Sequence, residues 1–114
     1  MTKPKIICIC GSTTFADTHA VMRWEFEKDG KAICLMINYL PHWYWNEIGM
    51  DKGDHIGEQF GNKEILDELH LRKIDLADEI FVINQGGYIG ESTRMEIEYA
   101  EKLGKPIKYH EEIK

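Results

Sequence analysis

The sequence predicts one α/β domain, in which helices cover both faces of a mostly parallel sheet of about four or five strands. Short apolar segments alternate with amphipathic segments along the 114 residues, the pattern of strand–helix–strand units with right-handed crossovers. The first strand, Lys5–Cys10, is apolar at almost every position, as parallel strands buried on both faces are. No repeat, linker or low-complexity tract divides the chain, so residues 1–114 are expected to form a single three-layer domain.

The order of the elements follows from hydrophobic periodicity. Strands are expected at residues 5–10, 31–38, 79–84 and 107–109, and helices at about 17–29, 63–77 and 93–103. Asp17 or Thr18 can cap the first helix, and Gly30 and Gly104 can end the first and last helices.

Each of the first two helices is expected to turn one apolar stripe towards the core. In the first helix this stripe contains Ala20, Val21 and Trp24, and in the second it contains Leu66, Leu69, Ile74 and Ala77. His70 lies within the second stripe. A single histidine there is commonly a hydrogen-bonded core residue, but its helix begins near the carboxyl edge of the sheet, where His70 can also face a ligand.

Residues 39–62 differ from the rest of the chain because they show no clean period. They contain three consecutive aromatic residues and four glycines: Trp43, Tyr44, Trp45, Gly49, Gly53, Gly57 and Gly61. Long segments of this kind in a small domain are usually functional or mobile, so we interpret this one as a lid or a subunit-contact element. The alternative is a disordered excursion whose aromatic residues pack locally.

Composition limits the classes of partner. The net charge is −6 and there is no run of lysine or arginine, which argues against a nucleic-acid polymer or an anionic membrane as the main partner.

The three cysteines and the absence of a signal or transmembrane segment indicate reduced thiols in a cytoplasmic protein. Cys8 and Cys10 share one face of a strand and cannot easily bridge each other. The histidines are scattered, so no metal or other cofactor is expected.

Glu96 is the most informative residue of the sequence. A glycine-rich loop precedes its helix, and at about 100° per residue Glu96 shares an arc with Ile97, Ala100 and Leu103, which should face the sheet. An inward carboxylate beside such a loop is a candidate nucleophile or base. The alternative is a capping box, with Thr93 as N-cap and Glu96 at the third helical position. The two interpretations are compatible with each other.

The ligand is expected beyond the carboxyl ends of the strands, as in other open parallel sheets. Two glycine-bearing loops leave this edge, at residues 11–14 and 86–92, and both can present backbone N–H groups to an anion. Neither is a dinucleotide fingerprint or a P-loop. The first is alternatively a simple strand-to-helix turn. The sequence leaves two roles open for Glu91, which either binds a ligand hydroxyl or is solvated. It also leaves two for Ser92, which either binds phosphate or caps the helix.

Several segments together resemble the nucleoside 2-deoxyribosyltransferase superfamily, which includes the 2'-deoxynucleoside 5'-monophosphate N-glycosidases and short phage and bacterial relatives. The matching segments are residues 10–12, 74–84, 90–92, 95–100 and 103–107, within a resemblance that covers roughly two thirds of the chain. The resemblance implies a flavodoxin-like, Rossmann-like fold and a homodimer or higher homo-oligomer. It also implies a small nucleoside or nucleotide as the ligand.

The resemblance implies roles for particular residues. Glu96 takes the place of the glutamate nucleophile, and His70 lies near the position of an aspartate that orients the nucleophile or protonates the leaving base. The implied substrate-binding residues come from the two loops and from the strand ends before them: Cys10, Gly11, Ser12, Thr13, Phe15, Asn84, Gly87, Tyr88, Gly90, Glu91 and Ser92. The sequence departs from the family at His70 and in having no arginine after Gly11-Ser12.

Three hypotheses for function follow. The first is an enzyme that cleaves or transfers the N-glycosidic bond of a (deoxy)nucleoside or its 5'-monophosphate through Glu96. The second is a non-catalytic module of the same fold that binds or sequesters a nucleotide. The third is an interaction protein that binds another protein through the Trp43-Tyr44-Trp45 segment.

Overall fold

The computed structural model describes residues 3–38, 40–48 and 63–113. Within them, four strands form one parallel sheet in the order β2-β1-β3-β4: β1 (Lys5–Cys10), β2 (Ala32–Leu35), β3 (Glu79–Val82) and β4 (Ile107–Tyr109). The helices are α1 (Ala16–Glu27), α2 (His42–Glu47), α3 (Lys63–Leu76) and α4 (Glu91–Lys102). The predicted α/β class and parallel sheet are confirmed, and the fold is of the flavodoxin-like, Rossmann-like type.

Strand β1 lies at the centre and pairs in parallel with both β2 and β3. Because side chains alternate along a strand, β1 supplies two separate cores. On one face, Cys8 and Cys10 pack with Ile80 and Val82 of β3 beneath α3 and α4. On the other face, Ile7 and Ile9 pack with residues of β2, β3, α1 and the turn before α1: Cys34, Phe81, Phe15, Met22 and Phe26. The sheet is therefore the middle of three layers.

The predicted inner face of α1 is wrong. Trp24 and Val21 are 64% and 55% exposed, and Ala20 is exposed as well. The helix instead buries His19 completely and packs Met22 and Phe26 against the sheet. Both sides of this helix carry apolar residues, so hydrophobicity alone did not distinguish them. The side that carries Met22 and Phe26 packs against the core on this face of the sheet and is therefore the inner side.

The predicted N-cap of α1 is also wrong. A short 3₁₀ turn at Thr13–Phe15 leads directly into the helix, so that the N-cap is Phe15, whose hydrocarbon side chain cannot form a capping bond. Asp17 is therefore in the first helical turn, and the Thr18 hydroxyl donates to Gln85 Oε1 at 2.8 Å. Gly30 and Gly104 follow the ends of α1 and α4 as predicted, and both have positive φ.

Helix α3 begins and ends close to its predicted limits. Ile74 and Ala77 are buried and Leu66 is half-buried, as predicted. Leu69 is 46% exposed, contrary to the prediction, and the half-buried Leu71 packs against the core instead. Strands β2 and β3 are shorter than predicted, since their last residues leave the sheet to form the edge where a ligand could bind.

Helix α4 begins earlier than the sequence predicted, and this rules out the capping box. Its N-cap is Gly90, with Glu91 as the first helical residue. The backbone N–H of Arg94 already bonds to Gly90 O at 2.9 Å, so neither Thr93 nor Ser92 is an N-cap. Glu96 lies in the second turn, beyond the reach of a capping role. Leu103, which was predicted to face inward, is exposed just after the helix.

Part of the aromatic segment is helical. Trp45 of α2 is buried and its indole Nε1 donates to Leu40 O at 2.9 Å, whereas Trp43 is exposed and packs edge-on against Tyr44. Residues 39 and 49–62 lie outside the described residues, so the lid or contact role stays a prediction. No helix in the described ranges is long and apolar enough to cross a membrane.

Candidate functional site

A cleft of about 420 Å³ opens at the carboxyl edge of the sheet. Its walls are the loop after β1, the exit of β2, the inner side of α3 and the first turns of α4. This is the position that the parallel topology predicts. Its volume is within the usual range of small-molecule sites.

The cleft brings together nine of the predicted site residues: Gly11, Ser12, Thr13, His70, Tyr88, Gly90, Glu91, Ser92 and Glu96. Four others lie outside its lining: Cys10, Phe15, Asn84 and Gly87. The two carboxyl-edge loops therefore converge on one space with the helices that carry His70 and Glu96.

The four residues outside the lining have other contacts in the structure. Cys10 is buried beneath His70, and Phe15 packs on the opposite core and edge-on against Tyr88. The Asn84 amide is paired with the backbone of Glu111, donating to its carbonyl at 3.0 Å and accepting from its N–H at 2.8 Å. Asn84 thus holds the segment after β4 in place. Gly87 ends the 3₁₀ turn Gln85–Gly87.

The loop after β1 is shaped by Gly11 and Ser12. A Cβ at Gly11, where φ is +153°, would lie 3.1 Å from Ile83 Cβ and 3.2 Å from His19 Nε2. Only glycine therefore allows the chain to pass this close to β3 and α1. Ser12 Oγ accepts the backbone N–H of Thr14 at 3.1 Å, as expected of a strand-to-helix turn. The other lone pair of Ser12 Oγ can still accept a hydrogen bond, and the backbone beside Ser12 forms part of the cleft wall.

Glu96 projects inward from α4, as the sequence predicted. Its neighbours on the buried side of the helix are Thr93, Ile97 and Ala100, and it is 9% exposed while lining the cleft. Burial raises the pKa of Glu96 to about 7, although the nearby His70 favours the ionised form. Such a perturbed carboxyl group in a cleft is typical of functional sites.

His70 projects from α3 to meet Glu96. Its Nε2 lies 3.9 Å from Glu96 Oε1 and 3.5 Å from the sulfur atoms of both Cys8 and Cys10. Burial lowers the pKa of His70, but the hydrogen bond to Cys8 and the charge of Glu96 outweigh burial and raise it overall. A hydrogen bond between the two thiols lowers the pKa of Cys8 and raises that of Cys10. Glu96 and His70 at the floor of the cleft thus belong to a polar cluster that continues beneath it to Cys8 and Cys10.

Three charged residues of α3 that the sequence did not predict as site residues also line the cleft: Lys63, Asp67 and Lys73. Lys63 Nζ donates to Asp67 at 2.8 Å and to Ser92 Oγ at 3.0 Å. Lys73 Nζ donates to Met36 O at 2.6 Å. A usable signal was present, because residues 63, 67 and 70 have the i, i+4, i+7 spacing of one helix face.

The arrangement combines a buried carboxyl group and an imidazole at the floor with hydroxyl, amide and ammonium groups at the rim. Such a site can hold a small polar ligand at the rim and present one of its atoms to Glu96. No family model matches the chain, and no curated protein or solved structure matches it either.

Proposed function

We propose that this protein cleaves or transfers the N-glycosidic bond of a (deoxy)nucleoside or its 5'-monophosphate, with Glu96 as the nucleophile. The observation that carries the proposal is the buried Glu96 carboxyl group, which faces a cleft large enough for such a ligand. Support also comes from the resemblance of residues 10–12, 74–84, 90–92, 95–100 and 103–107 to the nucleoside 2-deoxyribosyltransferase superfamily.

In the proposed reaction, a Glu96 oxygen attacks the anomeric carbon as the bond to the base breaks. The base leaves with the bonding electron pair and takes a proton from solvent at the open side of the cleft. Water or a second base then attacks the same carbon and loses a proton to solvent, and the bond from that carbon to Glu96 breaks, which restores the carboxylate. Since the carbon is attacked twice, the configuration is retained.

His70 acts in this proposal as a positioning residue. Its Nε2 faces Glu96 and the two cysteines, so it acts on the nucleophile rather than on the leaving base. A positive charge at this position favours the ionised form of Glu96, and only that form is nucleophilic. This matches the orienting role that the resemblance implies for the corresponding residue.

The rim of the cleft can hold the 5' end of the ligand. Gly11, Ser12 and Ser92 lie at the rim, and the ammonium group of Lys63 lies 3.0 Å from Ser92 Oγ. The family's arginine after Gly-Ser is missing here, and Lys63 supplies a positive charge at the rim in its place. A 5'-phosphate would gain from this charge and from the N-terminus of α4.

The proposal includes a homodimer or higher homo-oligomer in the cytoplasm. All three cysteines are free and buried, which fits a reducing compartment.

The test is a chromatographic assay for free base with the common nucleosides and their 5'-monophosphates. We expect the wild-type protein to release base and Glu96→Gln to lose this activity. Glu98→Gln is the matched control, because Glu98 is on the same helix but exposed, and its activity should be retained. Release of base by Glu96→Gln at the wild-type rate would overturn the proposal.

The second candidate is a non-catalytic nucleotide-binding module. Two observations favour it: no arginine follows Gly11-Ser12, and burial raises the pKa of Glu96 to about 7, so that part of the population carries a protonated, non-nucleophilic carboxyl group. Stoichiometric binding of a nucleotide by calorimetry, with no base released over the same period, would support this candidate and exclude the enzyme.

A further inference from the structure

Three metal-binding side chains converge directly beneath the floor of the cleft. Cys8 and Cys10 are two residues apart on one face of β1, and His70 reaches them from α3. His70 Nε2 lies 3.5 Å from each sulfur, and the three atoms all lie within 4.8 Å of one another. All three residues are buried.

The two sulfur–nitrogen separations match the dimensions of a zinc site. With Zn–S bonds of about 2.3 Å and Zn–N bonds of about 2.0–2.1 Å, tetrahedral geometry places neighbouring ligand atoms roughly 3.5–3.8 Å apart. The observed sulfur–nitrogen distances of 3.5 Å agree with this value. The three side chains come from two elements that the sheet and its helices fix relative to each other, so the set is largely pre-formed.

We propose that Cys8, Cys10 and His70 bind a divalent transition-metal ion, with zinc as the best fit. Two thiolates, one imidazole and an open fourth position form a known ligand set of catalytic zinc sites. Glu96 Oε1 lies 3.9 Å from His70 Nε2, so an ion held by these three side chains would lie close to the carboxyl group of Glu96. The proposal stands independently of the glycosidase function.

The chemistry of the ligands supports zinc over harder cations. Thiolate and imidazole prefer zinc, whereas magnesium and calcium prefer oxygen. Binding replaces the two thiol protons: the ion takes up two thiolates and a neutral imidazole, and two protons are released. The resulting group has no net charge, which lowers the cost of its burial. In the bound state His70 is neutral, and the ion lies beside Glu96 in its place.

The test uses the full chain and the metal alone. We expect about one zinc per chain by elemental analysis, and cobalt titration of the metal-depleted protein should give a thiolate-to-cobalt charge-transfer band with tetrahedral visible transitions. Loss of a second-shell partner of a metal typically costs 10–100-fold in affinity, so Cys8→Ser or Cys10→Ser should cost about 100-fold or more.

Cys34→Ser is the matched control. Cys34 is also a buried strand cysteine, but it packs in the core on the opposite face of the sheet. Its replacement should leave the metal affinity unchanged. Equal losses in the three serine variants would overturn the proposal.

If the serine variants do not fold, the visible spectrum of the cobalt-loaded wild-type protein tests the proposal by itself. A cobalt charge-transfer band supports thiolate ligation, and its absence at excess cobalt, together with no zinc in the purified protein, means that the thiols and His70 only hydrogen-bond. Because neither readout uses base release, this proposal and the proposed function can fail separately.

Discussion

Lys63 Nζ donates a 3.0 Å hydrogen bond to Ser92 Oγ, which connects the first turn of α3 to the first turn of α4 across the rim of the cleft. The same ammonium group bonds to Asp67 at 2.8 Å. The contact joins two elements that are distant in sequence, and it places a positive charge beside the N-terminus of α4. A phosphate at this position would interact with both.

The first prediction concerns this charge. Lys63→Met should weaken binding of a nucleoside 5'-monophosphate by about tenfold and binding of the nucleoside by much less, because a charged hydrogen bond contributes about 1.5–3 kcal/mol. Calorimetry with both ligands measures the difference. Lys28→Met is the control, because Lys28 lies on the surface at the end of α1. Equal losses for the two ligands would assign Lys63 a structural role only.

The second prediction concerns Gly11. Gly11→Ala should lower the free energy of unfolding by about 2–3 kcal/mol, because the new Cβ would meet Ile83 and His19. Gly86→Ala is the matched comparison: Gly86 also has positive φ, but nothing lies within 4 Å of its added Cβ. Its cost should be about 1 kcal/mol, from backbone strain alone. Urea unfolding of both variants tests whether Gly11→Ala loses more stability than Gly86→Ala.

The third prediction concerns the orientation of α1. Trp24→Ala should change the free energy of unfolding by less than about 0.5 kcal/mol, because Trp24 is 64% exposed. Phe26→Ala should cost about 2–3 kcal/mol, since Phe26 packs edge-on against Phe81 at 5.0 Å between ring centroids. A larger loss of unfolding free energy for Trp24→Ala than for Phe26→Ala would instead support the inner face that the sequence predicted.

The fourth prediction concerns pH. Burial raises the pKa of Glu79, but hydrogen bonds from Lys5 and Lys108 outweigh burial and lower it overall. The unfolded chain then binds a proton at a higher pH than the native protein does. Stability from Glu79 is therefore complete above the unfolded carboxyl pKa of about 4.3 and is lost as pH falls through the lower native value.

Urea unfolding from about pH 6 to pH 3 should show a steeper loss of stability for the wild-type protein than for Glu79→Gln. The variant should also be less stable at neutral pH, because both lysines lose their partner. Glu101→Gln, at an exposed position of α4, should follow the wild-type curve. Parallel curves for the wild type and Glu79→Gln would contradict the prediction.

Most of the fold could be predicted because its main signals are local. The β1 segment is apolar at every position after Lys5, and the periods of α3 and α4 differ clearly from those of the strands. The inward position of Glu96 followed from helical geometry, because Ile97 and Ala100 share its buried side. The predictions were wrong where two local patterns competed. In α1 both sides carry apolar residues, and Val21 and Trp24 lie on the outer side. At Thr93 the sequence matches an N-cap, but the residue lies inside the helix.

The sequence by itself determined the α/β class, the parallel sheet, the edge at which the cleft lies and the inward carboxylate, because periodicity and strand connections decide all four. Only the tertiary structure decided which groups surround that carboxylate. His70 is 62 residues from Cys8 in the chain and 26 residues before Glu96, yet its Nε2 lies within 4 Å of atoms of both. Such contacts depend on how α3 and α4 pack over β1, and no local pattern encodes that packing.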